Sequence, residues 1–153
     1  MLARRPERGA ALVEFALIAP LAIGLILGTF TAGTAYFRKI SIVDAVREGS
    51  RYGSSLLMGT GVGATGAWED SVRNRIIEAS SGELTASDVC VKLVYASGAT
   101  DCGVVDPPGA SGERTIRVVK VSATKPVRIE FLFLTIDVTV KSKLSGRYER
   151  DTG

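Results

Sequence analysis

Residues 8–37 read RGAALVEFALIAPLAIGLILGTFTAGTAYF, and the reading of this stretch decides that of the whole chain. Glu14 is its last charge; residues 15–37 carry none. That run of about 23 residues, at about 1.5 Å rise each, reaches about 34 Å as a helix, enough to cross a hydrocarbon core of about 30 Å. A secretory signal has a shorter apolar region, about 7–15 residues, with its cleavage site after it. Here the small residue suited to cleavage, Gly9, comes before the apolar run. A cut after Gly9 therefore leaves the helix on the mature chain, and a single-pass membrane anchor is expected.

Glu14 sits one turn inside a helix built otherwise from Ala, Leu, Val, Phe and Ile. A carboxylate near the bilayer centre costs about 2.5–3.5 kcal/mol on insertion scales, and less near the interface. Two readings stand side by side. In one, Glu14 lies among the headgroups beside a helix N-terminus, where negative charge is favoured. In the other, cleavage makes Ala10 a new N-terminus, and Glu14 pairs with that amine or a neighbouring chain's. Assembly then leaves neither charge buried alone.

Two stretches carry a resemblance. The first is Gly9, then Ala10, Ala11, Leu12 and Val13, then Glu14 followed by the aromatic Phe15. The second, residues 44–52, reads DAVREGSRY and supplies Arg47, Glu48, Gly49, Arg51 and Tyr52. In this order and at this separation they resemble the class III signal and post-membrane segment of the TadE/TadF-like pseudopilins. These are minor pilins of tight-adherence (Flp) type IV pilus systems. The resemblance covers about residues 8–53 and implies processing between Gly9 and Ala10 by a membrane prepilin peptidase. Glu14 and Phe15 would serve processing and assembly. The implied partners are other pilins or pseudopilins and an assembly platform in the bacterial inner membrane, and no cofactor is implied. Major Flp pilins are little more than leader and helix, so a chain of 153 residues resembles a minor pilin.

The net charge is +3 and the pI near 9.0, which could suggest nucleic acid. Arg4, Arg5 and Arg8 against Glu7 account for +2 of that charge, leaving +1 after cleavage. The excess reads as a topological signal that holds the N-terminus in the cytoplasm and sends the C-terminal part outside, with Arg38 and Lys39 as a weaker opposing pair. No nucleic-acid partner is expected. The chain has no histidine, which removes most zinc sites, most catalytic triads and the commonest general base. Its two cysteines, Cys90 and Cys102, are expected to form a disulfide outside the cytoplasm, against the alternative of two unpaired thiols. No metal site is expected.

Beyond the apolar run, Ile40, Val43 and Val46 recur at helical spacing, so the helix is expected to run to about Tyr52, broken by Gly49 and Gly53. Pro20 removes one backbone bond inside it. Gly24 and Gly28 have GxxxG spacing and, with Gly33, offer a small-residue face for close helix packing in lipid. Residues 53–66 read as a flexible glycine-rich linker; without the lysine of a P-loop, GTGVGATG does not bind nucleotide. Trp68, Val72, Ile76 and Ile77 mark an amphipathic helix over about 67–80, with Trp68 as a core anchor and Glu69 and Asp70 favouring its N-terminus.

The period then changes to two. Strands are expected at 89–95, at 115–124 ended by Pro126, and from Ile136 to about Tyr148. Residues 127–134 are apolar and left unassigned; residues 98–112 form a long turn. The fold class is α+β: a long N-terminal transmembrane and stalk helix, one amphipathic helix, and an antiparallel sheet of three or four strands, pilin-like in layout. The expected division is a leader at 1–9, transmembrane and stalk helix at 10–52, linker at 53–66 and an extracytoplasmic head at 67–153.

No catalytic constellation is specified. Lys39, Lys120 and Lys141 lie near serines but read as solvated strand or interface charges. The chain reads as a minor pilin that initiates, caps or otherwise serves assembly of a pilus. The alternative is a single-pass membrane protein whose extracytoplasmic head binds a partner without entering a filament.

Overall fold

Packing of a small sheet and one helix against the upper part of a much longer helix organises the molecule. The structure, a computed structural model, describes residues 7–96, 101–107, 117–131 and 134–149. Helix α1 spans Glu7–Ser55, helix α2 spans Ala64–Ala79, and a single 3-10 turn covers Ala86–Asp88. Strands β1 (Val89–Tyr95), β2 (Arg117–Phe131) and β3 (Leu134–Arg147) form an antiparallel sheet in the order β1-β2-β3. The α+β class, the second helix and the three strands are as the sequence indicates. Pro108, Gly109 and Ile116, parts of the expected turn and second strand, lie outside the described residues, as does most of the leader.

One stripe of α1 makes the core. Ile42, Ala45, Val46, Gly49, Ser50 and Gly53 are all buried, at the three- and four-residue spacing of a single helical face. Trp68, Val72 and Ile76 of α2 meet them, and Val91, Val119 and Val121 of the sheet close the third side. Of the residues whose spacing extends the helix, Val46 belongs to this stripe, Val43 is half-buried and Ile40 is exposed. The expectation that Gly49 and Gly53 break the helix fails, because α1 continues through both to Ser55. Each glycine is instead a point of close approach. A Cβ on Gly49 would lie 2.1 Å from Cγ1 of Ile76, and one on Gly53 would lie 3.1 Å from the Trp68 ring and 3.2 Å from Val119. The helix costs of these glycines, about 1 kcal/mol each, are accepted for helix-to-helix and helix-to-sheet contact.

The C-terminal end of α1 is closed by aromatic side chains. The carbonyl of Leu56 accepts from Trp68 Nε1 at 3.3 Å and from the Tyr148 hydroxyl at 2.8 Å, and that hydroxyl accepts from Met58 N at 3.0 Å. The two rings meet edge-to-face with centroids 6.1 Å apart. These bonds satisfy a carbonyl beyond the last helical turn, which has no partner within the helix. They also fix the start of the glycine-rich connection, which spans residues 56–63, shorter than expected. Gly63, with φ of 87°, precedes α2 in the left-handed region.

Strand β2 departs from its sequence pattern at its C-terminal end. It runs through Pro126, which pairs with Thr139, out to Phe131. The ladder with β1 ends at Ala123, so beyond it β2 has β3 as its only described neighbour and a missing N–H need not break a ladder bond. Residues 118–123 are buried without alternation because the sheet is covered on both faces at that level.

Candidate assembly and processing site

The lower part of α1 contrasts with the stripe above it. Between Gly9 and Phe37 no side chain is buried, and Phe15, Phe30 and Phe37 are 70%, 72% and 72% exposed. Leaving Leu12, Phe15, Leu17, Leu21, Leu25 and Phe30 in water would forgo about 1.5–3 kcal/mol each. That sum rivals the whole stability of a small domain, about 5–15 kcal/mol. The helix from Gly9 is long and apolar enough to cross a membrane. The 49 residues of α1 from Glu7 extend about 73 Å, more than twice a hydrocarbon core of about 30 Å, so one element is long enough for a span and a further packed part.

Gly9 and Ala10 lie in the first turns of α1, which begins at Glu7. A Cβ on Gly9 would meet nothing within 4 Å. Ala10 and Glu14 are four residues apart, neighbours on one face at about 5–6 Å between Cβ atoms. Glu14 and Phe15 are exposed. Pro20 lies within the continuous helix. Gly24 and Gly33 have open space where a side chain would stand, and Gly24 and Gly28 sit one turn apart on one face. Gly9, Gly24 and Gly33 thus meet nothing among the described residues, unlike Gly49 and Gly53.

The second motif splits between core and surface. Gly49 is buried against Ile76, whereas Glu48 accepts from Arg75 of α2 at 3.1 Å, a bond across the helix pair. Arg47 pairs with Asp44 at 3.3 Å one turn back. Arg51 and Tyr52 are exposed and, with Glu48, Ser54, Ser55 and Glu149, line an open cleft of about 460 Å³. The motif joins α1 to α2 through Gly49 and the Glu48–Arg75 bond, and leaves Arg47 and Arg51 exposed.

Cys90 and Cys102 form a disulfide with Cα atoms 5.6 Å apart. The bridge fastens residues 101–107 over the sheet face opposite the helices, and Lys143 Nζ donates to the Gly103 carbonyl at 2.7 Å. Beneath that segment lies Lys120, which corrects the solvated reading. It is 0% exposed, with Nζ 3.2 Å from Asp101 and 2.9 Å from Asp106. Burial pushes the ammonium down, but hydrogen bonds and attraction from Asp106 and Asp101 outweigh it, and the pKa is raised above 10.5. The alternation of β2 gives no sign of this, because the acids come from a distant loop.

Glu69 and Asp70 are likewise not at a helix N-terminus, since α2 begins at Ala64. Glu69 instead accepts from Lys92 Nζ at 3.3 Å and from the Leu93 amide at 3.4 Å, joining α2 to β1. Asp70 pairs with Arg73. Asp88 accepts from the Thr85 hydroxyl and amide and from Lys125; the Thr85 hydroxyl bond is the chief cause of its lowered pKa. Among the described residues no group of three or more His, Cys, Asp or Glu is placed to hold a metal ion.

No curated protein and no solved structure matches the chain. Residues 9–51 match the model of a protein family described as TadE-like protein, a range that opens at the glycine before the apolar run and closes two residues short of Gly53. Over that range, which lies within α1, the chain is similar to TadE-like proteins.

Proposed function

We propose that this chain is a minor pilin or pseudopilin of a tight-adherence pilus system, held in the membrane by α1 and acting in assembly of the filament. The observation that carries the reading is the TadE-like match over residues 9–51 together with the bare apolar helix inside it. A helix uncovered by its own chain needs lipid or other helices around it, and a pilin exchanges the first for the second. The division into leader 1–9, helix and stalk 10–52, connection and extracytoplasmic head belongs to this proposal, as does the orientation with the N-terminus in the cytoplasm. A prepilin peptidase would cut between Gly9 and Ala10. That bond lies in the first turns of α1, where amides lack helical partners and opening the backbone costs least.

The new amine at Ala10 would lie one turn from Glu14, able to pair with it or with a neighbour's. Gly24 and Gly28 would then let helices of the assembly approach closely. Glu14→Gln keeps size and polarity and removes the charge. The variant is expected to insert normally and present its head, yet to crosslink poorly into pilus complexes. Crosslinking at wild-type levels, with pili made normally, would show that Glu14 is an ordinary interfacial residue. A chain that is never found with pilins would instead be a membrane-anchored binding protein.

A further inference from the structure

The two faces of the sheet are covered by different means. On the inner face Val91, Leu93, Val119 and Val121 join the main apolar core with α1 and α2. On the outer face the register sets Cys90 beside Ser122, Lys92 beside Lys120 and Val94 beside Val118. The apolar cluster there is small: Ala96 and Val118 are buried, with Val94 packed against them. Residues 101–107 lie over this face, and Val104 is their one buried apolar side chain; Val105 is 64% exposed. Apolar burial therefore holds the covering segment only weakly.

Polar contacts and the bridge hold it instead. Asp101 and Asp106 approach the buried Nζ of Lys120 at 3.2 and 2.9 Å, and Lys143 donates to the Gly103 carbonyl. Cys102 lies between the two acids in the chain and is fastened to Cys90 on β1. Cys102 and Gly103 turn in the left-handed region, with φ of 53° and 69°, and Val104 N donates to the Asp101 carbonyl at 2.8 Å to close the turn. The place of the thiol and the place of the acids are thus set together. An ammonium left under this segment without its acids is an uncompensated buried charge, so moving the segment away brings Lys120 into water. In the other direction, acids seated on Lys120 hold Cys102 near Cys90 and raise the effective concentration of one thiol at the other.

We propose that the Cys90–Cys102 bridge and the Lys120, Asp101 and Asp106 cluster form one redox-conditional latch. Residues 101–107 close over Lys120 when the cysteines are oxidised and open when they are reduced, while the inner core stays folded. Closure forms the S–S bond; the two protons and two electrons of the thiols pass to a disulfide oxidant, such as oxidised glutathione, which leaves as two thiols. The coupling is reciprocal: the factor by which the bridge favours the seated acids is the factor by which the seated acids favour the bridge. A reducing compartment then meets a head with Lys120 and the outer face of β2 uncovered, and an oxidising one meets them hidden. The latch belongs to the head alone and does not depend on α1 entering a membrane or a pilus.

The test works from both ends of the coupling, on the full chain in detergent. Sulfosuccinimidyl acetate acetylates accessible amines, and peptide mass spectrometry reads each lysine. Oxidised wild type, reduced wild type and the Cys90→Ser, Cys102→Ser double variant are compared. Acetylation of Lys120 is expected to rise about tenfold in the two bridge-free forms, with the exposed Lys39 and Lys141 unchanged. Trp68, the one tryptophan and part of the inner core, is expected to keep its native fluorescence. From the other end, Lys120→Met is expected to raise the equilibrium constant for reduction in glutathione buffer about tenfold, and Asp106→Asn to move it the same way. A Lys120 that stays protected without the bridge overturns the latch. So does a reduction equilibrium that neither variant moves. Loss of the native Trp68 signal on reduction overturns it too, because the bridge would then hold the whole head together.

Discussion

Helix α1 is one element with two kinds of surface. Above Arg38 its small residues are filled by its own chain: Gly49 by Ile76, Gly53 by Trp68 and Val119. Below, Gly24 and Gly33 face open space amid large exposed apolar side chains. The same residue type therefore does different work at the two levels. In the upper part a glycine lets the fold close; in the lower part, at Gly24 and Gly33, a side chain would meet nothing within 4 Å. Substitutions above should be read in stability, and substitutions below in assembly.

The largest effect is expected where the head buries charge. Lys120→Ala would leave Asp106, whose carboxylate is fully buried, without its ammonium. Breaking such a pair from one side costs about 3–5 kcal/mol, readable in denaturant unfolding of the full chain in detergent. The sign of the pH dependence follows from the raised pKa of Lys120. Its contribution is fully present below about 10.5 and is lost as pH rises through the higher folded value. An unfolding midpoint unmoved by Lys120→Ala would remove the claim that the outer face is held by this cluster.

Loss of the disulfide comes next. The bridge spans a sequence separation of 12, and a loop of that size is worth about 3 kcal/mol in the chain-entropy model. Reduction should lower the unfolding midpoint without releasing α1 from the membrane. Thiol labelling of unfolded, non-reduced protein should find no reactive cysteine; two per chain would refute the bridge.

The paired glycine substitutions sharpen the comparison most directly. Gly49→Ala forces a methyl group into the fully buried Ile76, and overpacking costs about 1–3 kcal/mol, less a helix-propensity gain of up to about 1 kcal/mol. Gly24→Ala meets nothing, so the isolated chain should keep or slightly gain helix stability. Its cost, if Gly24 faces a neighbouring helix, appears only as fewer crosslinks to pilins. Equal stability losses at the two positions would erase the distinction between the two halves of α1.

Much of the fold is legible in the sequence. The uncharged run, the 89–95 strand and the Trp68, Val72, Ile76 face follow from period and length, which local sequence carries. Gly49 and Gly53 read as breakers because propensity cannot see Ile76 or Trp68 on the other side. Pro126 reads as an end because pairing on one side only is a property of the sheet. Lys120 reads as solvated for the same reason: its acids sit about 14–19 residues away and reach it only through the loop that the disulfide fastens. At the candidate site, the order of Gly9, Glu14 and the apolar run is readable, while the division of the second motif between core and surface is not.

The central claim is that Gly9 and Ala10 mark a processing site at the foot of a pilin helix. Mass spectrometry of the protein extracted from membranes of cells that make the pilus system reads it directly, through the first residue of the mature chain. The account predicts a chain that begins at Ala10, and a longer precursor when Gly9→Val blocks the cut. A wild-type chain that still begins Met-Leu-Ala in those cells would contradict it.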